Sequence, residues 1–316
     1  MNVIAVAGEA LVDVVPAPVE GYFELAPGGS PANVAVGLAR LEVPTRMLAR
    51  LGTDLLGRRL RAHLADNGVD LSRAVEAAEP SSLAIVEVGP GGDADYDFRI
   101  DGTADWQWTP EELAGALDGV LAVHSGSLAL TRQPGAAVLR EALAKAAATA
   151  TISYDPNPRP RLMGDPAAVV AGVYELLAIA DVVKVSAEDL AWLLPGTPPG
   201  EVLDDWLTRG PALVAVTLGG EGVLAGTSAG VRTTMPGRAA EVVDTVGAGD
   251  SFSAALLAGL HRRALLGPAR RAALRGISPV QLDEVLEECV TAASLTCSRR
   301  GAQPPTAAEL AQTLSR

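Results

Sequence analysis

Apolar and polar positions change rhythm repeatedly along this chain, and the changes mark out its elements. Val3 to Ala7 is an unbroken apolar run closed by Gly8, the pattern of a strand buried on both faces. Similar short runs predict strands at about 45–50, 121–124, 151–154, 181–185 and 212–217. Helical spacing of apolar residues fills the intervals, at 31–41, 55–67, 134–149, 166–178, 254–260 and 279–298. Strands separated by helical runs imply an α/β fold, with a mostly parallel sheet covered on both faces.

Three stretches break that alternation. Leu83 to Val88, a Gly-Pro-Gly-Gly-Asp turn at 89–93 and Tyr96 to Ile100 read as a hairpin within 82–101. Residues 11–25 read as a second extended pair, and 222–235 as a third hairpin around Gly-Thr-Ser-Ala-Gly. Strands without helices between them suggest a small second sheet, expected to act as a lid formed by about 11–25 and 82–101. No linker and no repeat is visible, so 1–316 is read as one domain.

Composition narrows the function. The formal net charge is -13, so bulk attraction to a nucleic acid is not expected. No apolar run reaches membrane-spanning length, and Glu9 and Asp13 interrupt the apolar N-terminus, which also lacks a basic lead. No membrane partner is expected. The two cysteines, Cys289 and Cys297, exclude a disulfide framework and, with 3 histidines, make a poor zinc set. Two reduced thiols fit the cytoplasm. The lysines are Lys145 and Lys184, and neither follows a glycine, which excludes a P-loop. Gly8-Glu-Ala-Leu-Val-Asp13 likewise excludes a Rossmann fingerprint after the first strand.

Two constellations carry chemistry. Val243-Asp-Thr-Val-Gly-Ala-Gly-Asp-Ser-Phe252 opens directly into an apolar helix. Such a glycine-rich turn offers unpaired N–H groups and the positive end of a helix dipole to an anion. Asp250, in the first turn, stands where a phosphate and an attacking hydroxyl would meet, and it can take the proton. The plainer reading is a capped helix with a flexible lead-in. The second constellation is Pro27-Gly-Gly-Ser-Pro-Ala-Asn33-Val-Ala, with Gly52 downstream. The Asn33 amide can donate to and accept from a polyol, or it can simply start a helix.

Together these regions resemble the two signatures of the PfkB/ribokinase family of carbohydrate kinases, and the resemblance extends over nearly the whole chain. Gly8 to Asp13, Asp155-Pro-Asn-Pro-Arg159, Lys184-Val-Ser186 and Thr217-Leu-Gly219 stand in the family's order. Glu42 departs from the family's glycine after the first helix, at a turn and away from chemistry. The implied fold is a ribokinase-like three-layer α/β/α domain with a small β-sheet lid. The implied activity is phosphoryl transfer from Mg-ATP to a sugar hydroxyl.

Carried over by position, the resemblance makes Asp250 the catalytic base and the backbone of Gly247, Ala248 and Gly249 the anion hole. It gives the sugar to Asp13, Gly28, Gly29 and Asn33, and the nucleotide to Lys184, Ser186, Thr217, Gly219 and Gly222. The family's metal-linked Asn-x-x-Glu falls on Ser186 to Asp189, so Glu188 or Asp189 must supply the acid for Mg²⁺. A Ser-capped helix start competes with that reading. A K⁺ held by carbonyls would use Asp244, Val246 and Gly301.

Fructose is the expected substrate, because Lys184-Val-Ser-x-Glu188 and the stretch from Tyr96 to Asp105 resemble fructokinase-like members. The alternative is 2-keto-3-deoxygluconate, whose carboxylate Arg99 or Arg159 would pair; a ribose or nucleoside kinase and a non-catalytic sugar-binding regulator rank lower. Arg99 as a solvated strand charge is the competing reading. Trp106 and Trp108 are read as packing residues that staple the hairpin. An exposed lid edge favours a homodimer through the lid.

Overall fold

The first strand sets the architecture. Ile4 and Val6 point into one apolar core, and Ala5 and Ala7 into another. Alternate side chains leave a strand on opposite faces, so this strand lies in the middle of three layers. The structure, a computed structural model, describes residues 2–17, 19, 21–88 and 94–316. Among them the strands are β1 (Ile4–Ala7), β2 (Leu11–Pro16), β3 (Phe23–Gly28), β4 (Thr45–Leu48), β5 (Arg50–Gly52), β6 (Val75–Ala77), β7 (Leu83–Val88), β8 (Ala94–Arg99), β9 (Ala122–Gly126), β10 (Thr151–Asp155), β11 (Val182–Ser186), β12 (Leu213–Thr217), β13 (Val223–Thr227) and β14 (Arg232–Met235).

Eight strands form the large sheet in the order β14-β13-β12-β11-β10-β9-β1-β4. All pairings from β12 to β4 are parallel, and β13 and β14 close one edge antiparallel. The helices Ser30–Arg40, Ala248–Arg262 and Pro279–Cys297 cover one face, and Gly135–Ala146, Pro166–Leu177 and Pro199–Leu207 the other. The run expected as one strand at 45–50 is divided. After Ala49 the chain leaves β4, and β5 pairs with β6 in a separate two-stranded sheet. No helix among the described residues is long and apolar enough to cross a membrane.

The helix Ser30–Arg40 packs tightly on Ala248–Arg262. A Cβ on Gly37 would stand 2.7 Å from the Cβ of Ala254, so only glycine permits this approach. The contact brings the two helix starts together. The first helix ends in a Schellman motif, in which Glu42 N donates to Ala39 O and Val43 N to Leu38 O. Glu42 therefore takes φ 62, a left-handed conformation that costs a side-chain-bearing residue about 1 kcal/mol. Glu42→Gly is expected to stabilise the chain by about 1 kcal/mol, raising its melting temperature by about 2 °C. A calorimetric midpoint that falls would show that the Glu42 side chain contributes more than its backbone strain costs.

The four strands of the small sheet run in the order β3-β2-β7-β8. Asp13, Ala26, Ala84 and Phe98 pair across it in one row. The next row holds Val12, Pro27, Leu83 and Arg99, which face the other way. Phe98 packs on the buried cluster of Ile100, Trp106 and Leu128. Trp106 and Trp108 are buried, at 1% and 3% exposure, so both pack and neither offers a face to a sugar. The turn expected at 89–93 lies outside the described residues.

Candidate active site

Parallel strands of α/β sheets present ligand sites at their carboxyl ends. Here those ends are Asp155, Ser186 and Thr217, on β10, β11 and β12. Both glycine-rich turns come to this edge. Gly247 caps the helix Ala248–Arg262 at φ 78, which only glycine adopts freely. Asp250 lies in that helix's first turn, and both its oxygens are held from the first helix. Ser30 Oγ donates to Oδ1 at 2.6 Å, and Asn33 Nδ2 donates to Oδ2 at 2.8 Å. Asn33, expected to hold sugar, therefore also positions the carboxylate. Ser30 was not expected at all; its only trace in the sequence is its place directly behind Gly28-Gly29. Ala248 N is turned to Thr245 O at 3.2 Å. That bond engages the amide that the resemblance gives to the anion hole.

Asp13 faces the same space from the small sheet. Burial raises its carboxyl to about 6; Arg159 pulls it back and Asp250 adds to the rise. Gly28 makes room for it, since a Cβ there would lie 2.1 Å from Asp13 Oδ2. Gly29 (φ 98) presses on the backbone of Glu9. Arg159 is held at the end of β10 by Asn157 Oδ1, at 2.6 Å, and Pro158 O, at 3.0 Å. Arg99 is corrected. It lies in the row facing away from Asp13 and pairs with Asp97 at 2.5 Å, largely in solvent.

Two buried acids support this side, and composition gave no hint of them. Asp105 accepts from Ala10 N at 2.8 Å and Ser82 Oγ at 2.5 Å, which ties β7 to the start of β2. Glu9 accepts from Ala129 N at 3.2 Å, and burial raises its carboxyl to about 7.

At the ends of β10 and β11, Lys184 Nζ donates to Asp155 Oδ2 at 3.0 Å, both side chains being buried. Burial opposes the ammonium, but Asp155, Asp189 and Asp250 outweigh it and raise its pKa. Burial raises Asp155 to about 6, with Lys184 pulling it back, so the pair is ionic at neutral pH. The ammonium reaches the glycine turn: a Cβ on Gly249 would stand 2.8 Å from Nζ.

The remaining expected residues divide. Ser186 and Asp189 form a capping box, each side chain accepting from the other's N–H at 3.0 Å, and Glu188 is exposed. Among the described residues no three His, Cys, Asp or Glu cluster as a metal cage. One or two carboxylates are enough to hold a Mg²⁺ that arrives with a nucleotide, so exposed Glu188 and the Asp189 oxygen outside the cap would fit one. Asp244 accepts from Val246 N at 3.0 Å and from Gly301 N at 2.8 Å, bringing all three together. Thr217 ends β12 and Gly219 lies open beside it, whereas a Cβ on Gly222 would strike Met235 O at 2.0 Å. Backbone packing thus accounts for Gly222, and no contact of it with the site's groups is needed.

Residues 1–309 match the pfkB family carbohydrate kinase profile. The chain belongs to the PfkB family. Among curated relatives of this PfkB kinase is a fructokinase from Rhizobium leguminosarum bv. trifolii, 35% identical over 86% of this chain and 83% of that one. A fructokinase from Xylella fastidiosa with bound ATP superposes at a TM-score of 0.89, 28% identical and covering 99% of both chains. A fructokinase double mutant from Vibrio cholerae O395, with fructose, ADP and a potassium ion bound, superposes at 0.83, with 27% identity and coverage of 99% and 98%. The ribokinase-like fold expected from the sequence is the fold observed. Ser186, where the resemblance led to an expected asparagine, caps the helix Ala187–Leu193.

Gly28→Ala tests the sugar-binding role expected of Asp13. Its Cβ must displace Asp13, so the KM for sugar is expected to rise about 10–100-fold, with a smaller change in the KM for ATP. An unchanged sugar KM would remove Asp13 from substrate binding.

Proposed function

We propose that this PfkB kinase transfers the γ-phosphate of ATP to a primary hydroxyl of fructose. The observation that carries the reading is the Asp250 carboxylate, fixed by Ser30 and Asn33 at the glycine-led start of a helix. Support for fructose comes from the fructokinase relatives and from the superposing chain that holds fructose and ADP.

The sugar lies between Asp13, Asn33 and Asp250, with its reacting hydroxyl on Asp250. The carboxylate takes the hydroxyl proton as the oxygen attacks phosphorus. Amides of Gly247 and Gly249 and the Lys184 ammonium face the charge on the transferred group. Mg²⁺, when bound with the nucleotide, neutralises phosphate charge, and Glu188 and Asp189 are the acids that would hold it. K⁺ would be held by carbonyls of the Asp244–Val246 and Gly301 turns. The small sheet closes over the sugar and excludes water.

A coupled ADP-release assay with Mg-ATP tests this reading. Release stimulated by fructose, and far less by 2-keto-3-deoxygluconate, ribose or adenosine, is the expected result. Preference for the keto acid would move the substrate and make Arg159 its carboxylate partner. We also propose a homodimer through the small sheet, whose edge strand β3 exposes Phe23 and Leu25. A monomeric mass in solution would contradict it. The two free thiols, Cys289 and Cys297, support a cytoplasmic location.

A further inference from the structure

The turn at 298–303 lies directly behind the phosphate end of the site. Gly301 N donates to Asp244 Oδ2 at 2.8 Å, and a Cβ on Gly247 would lie 2.6 Å from the Cβ of Ala302. The turn therefore backs the start of the helix that carries Asp250. Arg300, in the same turn, reaches across to the small sheet. Its Nη2 donates to Pro16 O at 2.7 Å and stands 3.2 Å from Glu24 Oε2. Pro16 ends β2, three residues beyond Asp13. Glu24 pairs in register with Val15, in the row set that faces the site alongside Asp13. One guanidinium thus grips both strands that frame the sugar side, from the element that shapes the phosphate side.

Exposure sets what such a grip can do. The Arg300 and Glu24 side chains are 47% and 51% exposed. A pair this open is screened by water and contributes little to global stability, so it can break and re-form as the sheet moves. The opposite end of the sheet is fastened differently, by the buried Asp105 bonds to Ala10 and Ser82. The small sheet is thus tied by buried bonds at its Asp105 end and by an exposed pair at its Arg300 end.

We infer that Arg300 is a positioning residue of the kinase reaction: it latches β2, and with it Asp13, to the turn behind the anion hole. Closure of the sheet over sugar and assembly of the phosphate end are thereby coupled. The inference rests on the proposed roles of Asp13 and of the Gly247–Gly249 turn.

Two measurements on the full chain test it. The first is hydrogen exchange of residues 11–28 without ligands. Arg300→Ala is expected to speed exchange in β2 and β3 about five-fold, with the helix Ala248–Arg262 unaffected. Arg300→Lys should restore most of the protection. Glu24→Gln, which keeps the carbonyl contact, should give a smaller effect that 0.5 M salt reproduces in the parent chain. The second is the partition of ATP between sugar and water. Arg300→Ala is expected to raise the sugar KM about five-fold with kcat within about two-fold. ADP released without sugar phosphate should rise about five-fold relative to sugar phosphorylated.

Exchange in 11–28 that matches the parent in both Arg300→Ala and Glu24→Gln overturns the latch. So does a loss of turnover that tracks melting temperature alone, with the sugar-to-water partition unchanged. Were the parent chain to phosphorylate none of the sugars, the proposed function would fail, and the exchange comparison would still decide the latch.

Discussion

Asp250→Asn is expected to lower kcat by about 10²–10⁴, the range for loss of a general base, while the KM for sugar changes little. The geometry explains the selectivity. An asparagine keeps an oxygen that can accept from Ser30 Oγ, so the helix start and sugar slot keep their shape. Its amide nitrogen cannot accept from Asn33 Nδ2, whose bond to Oδ2 is 2.8 Å in the parent. Only one of two acceptors is lost in binding, but the proton acceptor is lost entirely in chemistry. Steady-state kinetics with fructose, alongside a thermal midpoint to establish folding, measures both. A folded variant retaining near-full turnover would remove Asp250 as the base.

The second large effect belongs to Lys184. Lys184→Met leaves the Asp155 carboxylate buried, at 3% side-chain exposure, with its cation gone. Removing one partner of a buried pair costs about 3–5 kcal/mol. The loss should depend on pH in a definite sense. Burial already raises Asp155 to about 6 with Lys184 present, and losing the cation raises it further. A folded pKa above the unfolded one means that the penalty is small at low pH and grows as pH rises toward the folded value. Urea midpoints of the variant should therefore lie closer to the parent at pH 5.5 than at pH 8. Adding Asp155→Asn removes the unpaired charge and should recover much of the stability. Turnover should stay low in both variants, because neither brings a cation to the glycine turn. Recovery of turnover with stability would make Lys184 a structural residue only.

The contrast between Asp250 and Arg99 shows what sequence can carry. Asp250 was legible because a glycine turn opening an apolar helix has one mechanical outcome: the next acid lies in the first turn. The parallel strands were legible because burial on both faces makes them continuously apolar, as in Ile4 to Ala7. Arg99 depended on strand register, which a one-residue slip inverts. Nothing local fixes that register; it follows from the pairing of β8 with β7, and of β7 with β2. Ser30 escaped notice because a serine at a helix start already has a reason to be there. Asp189 shows the converse, since its Oδ2 accepts the capping bond from Ser186 N while its other oxygen stands where the resemblance puts an acid for a metal. Glu9 and Asp105 were invisible because burial of an acid is decided by distant segments, Ala129 and Ser82 among them.

The bonds that fix Asp250 join residues 217 and 220 positions apart in the chain. A ribosome must therefore release nearly the whole polypeptide before the base meets its two holders. Until then an emerging chain can present strands, and even the Asp13 edge, without any capacity to spend ATP. The base and its holders meet only where the helix Ser30–Arg40 packs on the helix Ala248–Arg262, at Gly37 and Ala254, so activity reports that the two ends of the chain have found each other.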